Sequence, residues 1–292
     1  MRRSLDTLAI CTVLVLCASW GLQQVTVKLA LPTFPPMTQM TIRSVGAGAM
    51  VLVWCMFTGR GKLLARDGSL FWGLFAGSLF AIEFMMIYTG LQWTEASRGT
   101  VFMYTAPFFV ALGAMWLLPE ERLTPIQWVG LLLSFLGVVL ALGMPSLARS
   151  PLAFSGDLLI LMGGALWGAT TLAIKASPLR AISPEKVLLY QLGMGAVAGV
   201  IGMLVLGERL GAPTTAAVWA MIYQTVWVAG ITFLLWFKLL AIYPASRLQA
   251  GTSLSPLFGV LGAFVILGEP LSISLVLAAL LVVSGVILVN RR

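Results

Sequence analysis

Runs of about 20 apolar residues recur along the whole chain, and each is long enough to cross the ~30 Å hydrocarbon core of a bilayer as a helix. Ten can be read, near 7–29, 37–58, 69–91, 96–118, 125–143, 156–176, 185–206, 214–238, 246–267 and 271–290. Lipid offers no hydrogen bonds, so a backbone in it must satisfy its own amides, and a helix does so within a single run. The expected fold class is therefore an all-α polytopic membrane protein of ten transmembrane helices. Only 10% of the 292 residues are charged, against roughly 25% in soluble domains.

The net charge of +8 does not read as a nucleic-acid footprint, because the basic residues lie scattered between spans rather than in a stripe. They follow topology instead. With both termini cytoplasmic, thirteen of the eighteen fall on the inner side: Arg2, Arg3, Arg60, Lys62, Arg66, Arg122, Lys175, Arg180, Lys186, Lys238, Arg247, Arg291 and Arg292. Lys28, Arg98, Arg149 and Arg209 fall outside, and Arg43 lies within a span. This is the positive-inside pattern, expected of a multi-pass protein of the bacterial cytoplasmic membrane. Cys11, Cys17 and Cys55 have no paired spacing, and the chain has no histidine and no nucleotide-binding loop. Metal, disulfide and nucleotide chemistry thus have no foothold in it, and neither an enzyme nor a cofactor is expected.

The runs repeat. Residues 18–28 read ASWGLQQVTVK and residues 165–175 read ALWGATTLAIK, setting Trp20, Gln24 and Lys28 against Trp167, Thr171 and Lys175 at an offset of 147. EASRGTVFMYTAPFFVALGAMWLLPEE (95–121) aligns with PASRLQAGTSLSPLFGVLGAFVILGEP (244–270), pairing Arg98 with Arg247, Pro107 with Pro256 and Glu120 with Glu269. The halves are 1–143 and 157–292, joined by a connector at 144–156, and each holds five spans. Five is odd, so the second copy enters the membrane from the opposite face. The halves are then inverted repeats, an arrangement typical of secondary transporters with a substrate site near the midplane.

These doubled blocks, a WG near the first span of each half and an ASR…P…GE…L block across its fourth and fifth, resemble the EamA-like ten-helix exporters of the drug/metabolite transporter superfamily. The resemblance covers essentially the whole chain. Within that superfamily the chain looks most like bacterial aromatic amino-acid exporters, for which Glu83, Tyr104, Trp167 and Trp236 have counterparts. It implies export of amino acids or related small metabolites. A carrier for lipophilic cations is the alternative within transport, and a membrane-embedded enzyme or scaffold the remote one. The partners implied are a small-molecule substrate and the lipid bilayer, with monomer and homodimer both open.

An ionisable group at the middle of a span costs roughly 2.5–3.5 kcal/mol on insertion scales, so it needs a partner or a purpose. Arg43 and Glu83 each stand seven residues inside a span, about 10 Å deep, with Gln23 and Gln24 at comparable depth. A buried Arg43–Glu83 pair supported by glutamine is expected, either holding the second and third helices together or lining a pathway in which Glu83 attracts an ammonium and Arg43 a carboxylate. Their counterparts in the second half are Gln191 and Thr232, so the architecture does not require the charges. Trp20, Gln24 and Lys28 share one helical face, as do Trp167, Thr171 and Lys175. With Tyr104, Trp227 and Trp236, the two tryptophans could wall a cavity suited to amphipathic solutes. Pro107 and Pro256 each remove a backbone hydrogen bond inside a span, which makes them candidate hinges.

Overall fold

The computed structural model describes residues 7–59, 63, 65–117, 124–143, 151–242 and 254–289. Of the residues named above, Arg2, Arg3, Arg60, Lys62, Glu120, Arg122, Arg149, Arg247, Arg291 and Arg292, the 244–253 part of the second repeated block and the Lys238 side chain lie outside that description.

Among the described residues ten helical spans follow one another: α1 Thr7–Ala30, α2 Pro36–Thr58, α3 Leu70–Trp93, α4 Ala96–Leu117, α5 Pro125–Gly143, α6 Ala153–Lys175, α7 Pro184–Val205, α8 over 215–242, α9 Ser255–Leu267 and α10 Ile273–Val289. Among the described residues there is no strand. Seven of the spans have the length and hydropathy to cross a membrane, and the other three are shorter apolar helices. Local chemistry sets several ends. Proline opens α2, α5 and α7, where its missing N–H would have no intrahelical partner in any case. Gly59 and Gly268 close α2 and α9 in the left-handed conformation, at φ 62° and 68°. The helix ends at 30–36, 93–96, 143–153, 205–215 and 267–273 share one face of the bundle, called here the connector face. The opposite ends form the termini face.

Three spans are irregular. In α1 a single turn residue, Leu22, separates Thr7–Gly21 from Gln23–Ala30. In α4 the break falls at Tyr104 and Thr105 and divides Ala96–Met103 from Ala106–Leu117. In α8 the stretch Tyr223–Thr232 is wound as a π-helix between α-helical Thr215–Ile222 and Phe233–Ile242. Such wide turns are uncommon and gather at functional sites.

Inversion of the halves is visible in the packing. A methyl group at Gly137 in α5 would meet the Ala278 carbonyl oxygen of α10 at 2.9 Å, and one at Gly285 in α10 would meet the Gly130 carbonyl oxygen of α5 at 2.5 Å. Residues 130 and 137 stand to 278 and 285 at one constant offset, 148, so the contact is reciprocal, as a pseudo-twofold axis between two antiparallel helices requires. A second reciprocal crossing joins the halves elsewhere: Gly21 of α1 lies against Ser255 and Gly259 of α9, while its counterpart Gly168 of α6 lies against Ala106 and Val110 of α4. The largest buried core draws on α1 to α6, α9 and α10 and includes Phe80, Phe84, Tyr88, Met103 and Val282. Large apolar side chains such as Leu8, Phe57, Phe71, Trp116 and Leu204 point outward around it, as lipid demands.

Candidate functional site

The polar face of α1 turns into the protein. Trp20 donates from its ring nitrogen to Thr232 Oγ1 at 2.8 Å, Gln24 donates to the Met103 sulfur, and Lys28 donates to the carbonyls of Leu91 and Thr94 at 2.9 and 2.7 Å. Three residues at i, i+4 and i+8 thus touch α8, α4 and the end of α3 in turn. Gln23, one position off that face, is also buried.

Arg43 and Glu83 are each 2% exposed, but the expected contact between them is not formed. Ion pairs within 4.0 Å among the described residues join Arg98 to Glu95, Arg98 to Asp157 and Lys186 to Asp67. Depth does not separate them: Glu83 stands ten residues from the connector-face end of α3 and Arg43 seven from Pro36, an offset of about 5 Å that an arginine side chain spans. Arg43 lies instead over the Phe84 ring, 4.3 Å from its centroid, in a cation–π contact. Its Nε, the Glu83 Oε2 and the Gln24 Oε1 are all buried with no hydrogen-bond partner, and the glutamine support expected for the pair is absent. Buried polar atoms are nearly always satisfied. Orphans on three adjacent helices, two of them on charged groups, mark this as the candidate site.

A second layer of polar residues, not singled out by sequence, ties α8 to these helices. Tyr88 Oη donates to Gln224 Oε1 at 2.8 Å, Gln224 Nε2 donates to Gln39 Oε1 at 3.1 Å, and Gln39 Nε2 donates to the carbonyls of Phe34 and Val27. All three side chains are fully buried. Gln224 comes from the π-helical stretch, as does Thr225, whose hydroxyl is another unpartnered atom. No periodicity signals a π-helix, so sequence reading had no access to this bridge; the amides themselves, inside apolar runs, were the available sign.

The aromatic residues expected in one cavity fall into separate groups. Trp20 packs edge-on against Trp236, centroids 5.4 Å apart, and near Phe233 at 6.1 Å. Tyr104 packs edge-on against Trp167 at 5.8 Å. Each equivalent tryptophan therefore meets an aromatic partner, on α8 in one case and α4 in the other. Trp227 donates to Ser19 Oγ at 2.8 Å and lines a lateral groove of about 610 Å³ between α1 and α8, apart from the charged cluster. Thr171 returns its hydroxyl to the Trp167 carbonyl. Pro107 follows the break in α4 at Tyr104 and Thr105, and Pro256 opens α9 next to residues outside the description.

At the connector face the charges are partnered. Arg98 and Asp157 form a buried ion pair between α4 and α6, and Thr94 Oγ1 donates to Asp157 at 2.6 Å. Asp157, fully buried in the second turn of α6, is a second carboxylate within a span, missed because it stands at the edge of its apolar run. Glu269 accepts from the backbone N–H groups of Ala96 and Ser97 at 2.7 and 3.0 Å and from the Ser97 hydroxyl at 2.6 Å. Glu208 does the same for Met37 and Thr38 at the start of α2. Two carboxylates of the second half thus satisfy helix N-termini of the first, where the helix dipole favours negative charge. At the termini face Asp67, in the loop before α3, accepts from Lys186 at 2.8 Å and from Ser69. The Lys186 and Ser69 hydrogen bonds hold its carboxyl well below the usual carboxylate range.

Comparison with known proteins agrees with this architecture. The model of the EamA-like transporter family matches twice, at residues 7–143 and 154–291. The chain is similar to an uncharacterized transporter of Bacillus subtilis, YoaV, with 26% identity covering 91% of each chain. It is also similar to a WAT1-related chloroplastic protein of Arabidopsis thaliana, at 25% identity over 93% of this chain and 66% of that one. A crystal structure superposes with a TM-score of 0.66 over 97% of this chain and 95% of that one, at 20% identity, which speaks for the fold alone. Doubled match, inverted packing and ten membrane helices converge: this chain belongs to the EamA-like transporter family, and it is a multi-pass membrane transporter.

Proposed function

We propose that the protein is a secondary carrier of the bacterial cytoplasmic membrane that exports amino acids or related small metabolites by alternating access. Its termini are cytoplasmic, and its two halves, 1–143 and 157–292, act as one transport unit. The observation that carries the reading is the cluster of unpartnered buried groups, Gln24 Oε1, Arg43 Nε and Glu83 Oε2, on α1, α2 and α3. An uncompensated buried charge costs several kcal/mol, and the second half is built without either one. Groups kept at that cost and absent from the equivalent helices suit a transient ligand better than a permanent contact. Hinge motion is assigned to the break before Pro107 in α4, and to Pro256 as its counterpart in α9. Trp20, Trp167, Tyr104, Trp236, Gln23 and Thr171 flank the pathway on α1, α4, α6 and α8.

Resemblance to aromatic amino-acid exporters puts aromatic substrates first in any panel. The test is counterflow by purified protein in liposomes, run over amino acids. Saturable exchange of at least one supports the proposal, and no exchange of any tested solute removes it. A second reading, efflux of lipophilic cations, draws on the Trp20–Trp236 pair and on Glu83. Competition by a quaternary ammonium compound against labelled amino acid separates the two.

A further inference from the structure

The two orphaned charges carry a sharper consequence, which rests on the carrier reading. Arg43 and Glu83 have opposite sign, both are 98% buried, and they are not in contact. Each keeps a polar atom without a partner: a donor on the arginine and an acceptor on the glutamate. A further acceptor, Gln24 Oε1, is unsatisfied on α1. An ammonium brings three donors and no acceptor, and a carboxylate brings acceptors only. One molecule bearing both groups can therefore satisfy the arginine donor and the glutamate and glutamine acceptors together. The Phe84 ring lies 4.3 Å from the guanidinium carbon and makes no hydrogen bond, so the Arg43 Nε donor stays available to a carboxylate.

We propose that this site selects zwitterions by charge balance, with Arg43 taking the carboxylate and Glu83 with Gln24 the ammonium of a single α-amino acid. A solute carrying only one of the two charges satisfies one residue and leaves the other buried and unpaired. Rejection then comes from the group left unmatched rather than from any clash. The neutral second-half counterparts, Gln191 and Thr232, supply no such balance, so selection belongs to the first half alone.

Phenylalanine and leucine provide matched probes, each with its amino alcohol as a cation-only analogue and its N-acetyl derivative as an anion-only analogue. Inhibition of labelled-substrate counterflow at pH 7 gives relative affinities for the wild type. Ligand-induced shifts in thermal unfolding in detergent give them for Glu83→Gln and Arg43→Gln, and also report that each variant is folded. The parent amino acid should outcompete both analogues by at least about tenfold in the wild type. Glu83→Gln should raise the N-acetyl derivative to parity with or above the parent, and Arg43→Gln should do so for the amino alcohol. Equal inhibition by parent and analogues, or two folded variants that keep the wild-type order of preference, overturns the inference while leaving the carrier reading intact. Absence of exchange of every probe by the wild type overturns the amino-acid reading and this inference with it.

Discussion

Two clusters of buried polar residues, one shared between the halves and one in the first half alone, differ in one respect. At the connector face Arg98, Asp157 and Thr94 are joined to one another, Lys28 caps the end of α3, and Glu269 caps the start of α4. In mid-membrane Arg43 and Glu83 are as deeply buried, but each retains an unpartnered atom. A fully paired group mainly serves folding, because removing its partner exposes the cost of burying the one that remains. An unpaired group has already incurred that cost in the resting protein. Partnering, rather than burial or charge, is what separates scaffold from site here.

The largest effect should come from breaking the paired cluster. Asp157→Ala leaves Arg98 buried and short of its main partner, and should cost about 3–5 kcal/mol of stability, read as a lowered unfolding temperature in detergent. Transport per folded molecule should change little. Loss of transport without loss of stability would move Asp157 into the site. The mid-membrane cluster should show the reverse: Glu83→Gln or Arg43→Gln should lower counterflow at least about tenfold, equivalent to 1.4 kcal/mol or more, with unfolding temperature unchanged or raised.

Much of this comparison was legible in the sequence, and its decisive part was not. Apolar runs placed nine spans to within a few residues, and the ninth run, 246–267, covers α9 where it is described, since only helices satisfy a backbone in lipid; the doubled WG and ASR blocks, with five spans to each half, revealed the inversion. Arg43 and Glu83 stood out as charges in mid-span. Their failure to meet did not, because Arg43 takes the ring of Phe84, the residue after Glu83, as its neighbour instead. Asp157 stands at the edge of its apolar run and drew no reading from the sequence; that it faces Arg98 emerges only when α4 and α6 are set side by side. Gln224 meets Tyr88 from a stretch of α8 wound as a π-helix, and no residue spacing encodes that winding. Periodicity reports elements, whereas the pairing of side chains depends on how neighbouring helices are set against each other.

Intermediate effects belong to the bridge between the halves. Tyr88→Phe removes one donor and leaves Gln224 Oε1 buried and unsatisfied, a cost of about 1–3 kcal/mol. It should lower both unfolding temperature and counterflow, because the same bridge holds α8 against the helices bearing Arg43 and Glu83. A variant altered in stability alone would place the bridge with the scaffold.

The smallest effect is expected at the termini face. Asp67 is held below its unfolded range of about 3.9 by Lys186 and Ser69. A depressed carboxylate stabilises above its unfolded value and loses that contribution as pH falls through its folded value. Asp67→Asn should therefore lower the unfolding temperature slightly and by the same amount from pH 5 to pH 8, with the difference shrinking only in strong acid. A difference that varied between pH 6 and pH 8 would assign the titration to another group.

The central claim is that the mid-membrane charges are kept for a ligand at the expense of the empty protein. It is tested most directly by thermal unfolding of Arg43→Met/Glu83→Gln in detergent, with counterflow measured on the same preparation. The account predicts a protein at least as stable as the wild type that no longer exchanges amino acid. A double variant that unfolds several kcal/mol more easily, yet exchanges substrate normally per folded molecule, would contradict it and return Arg43 and Glu83 to the scaffold.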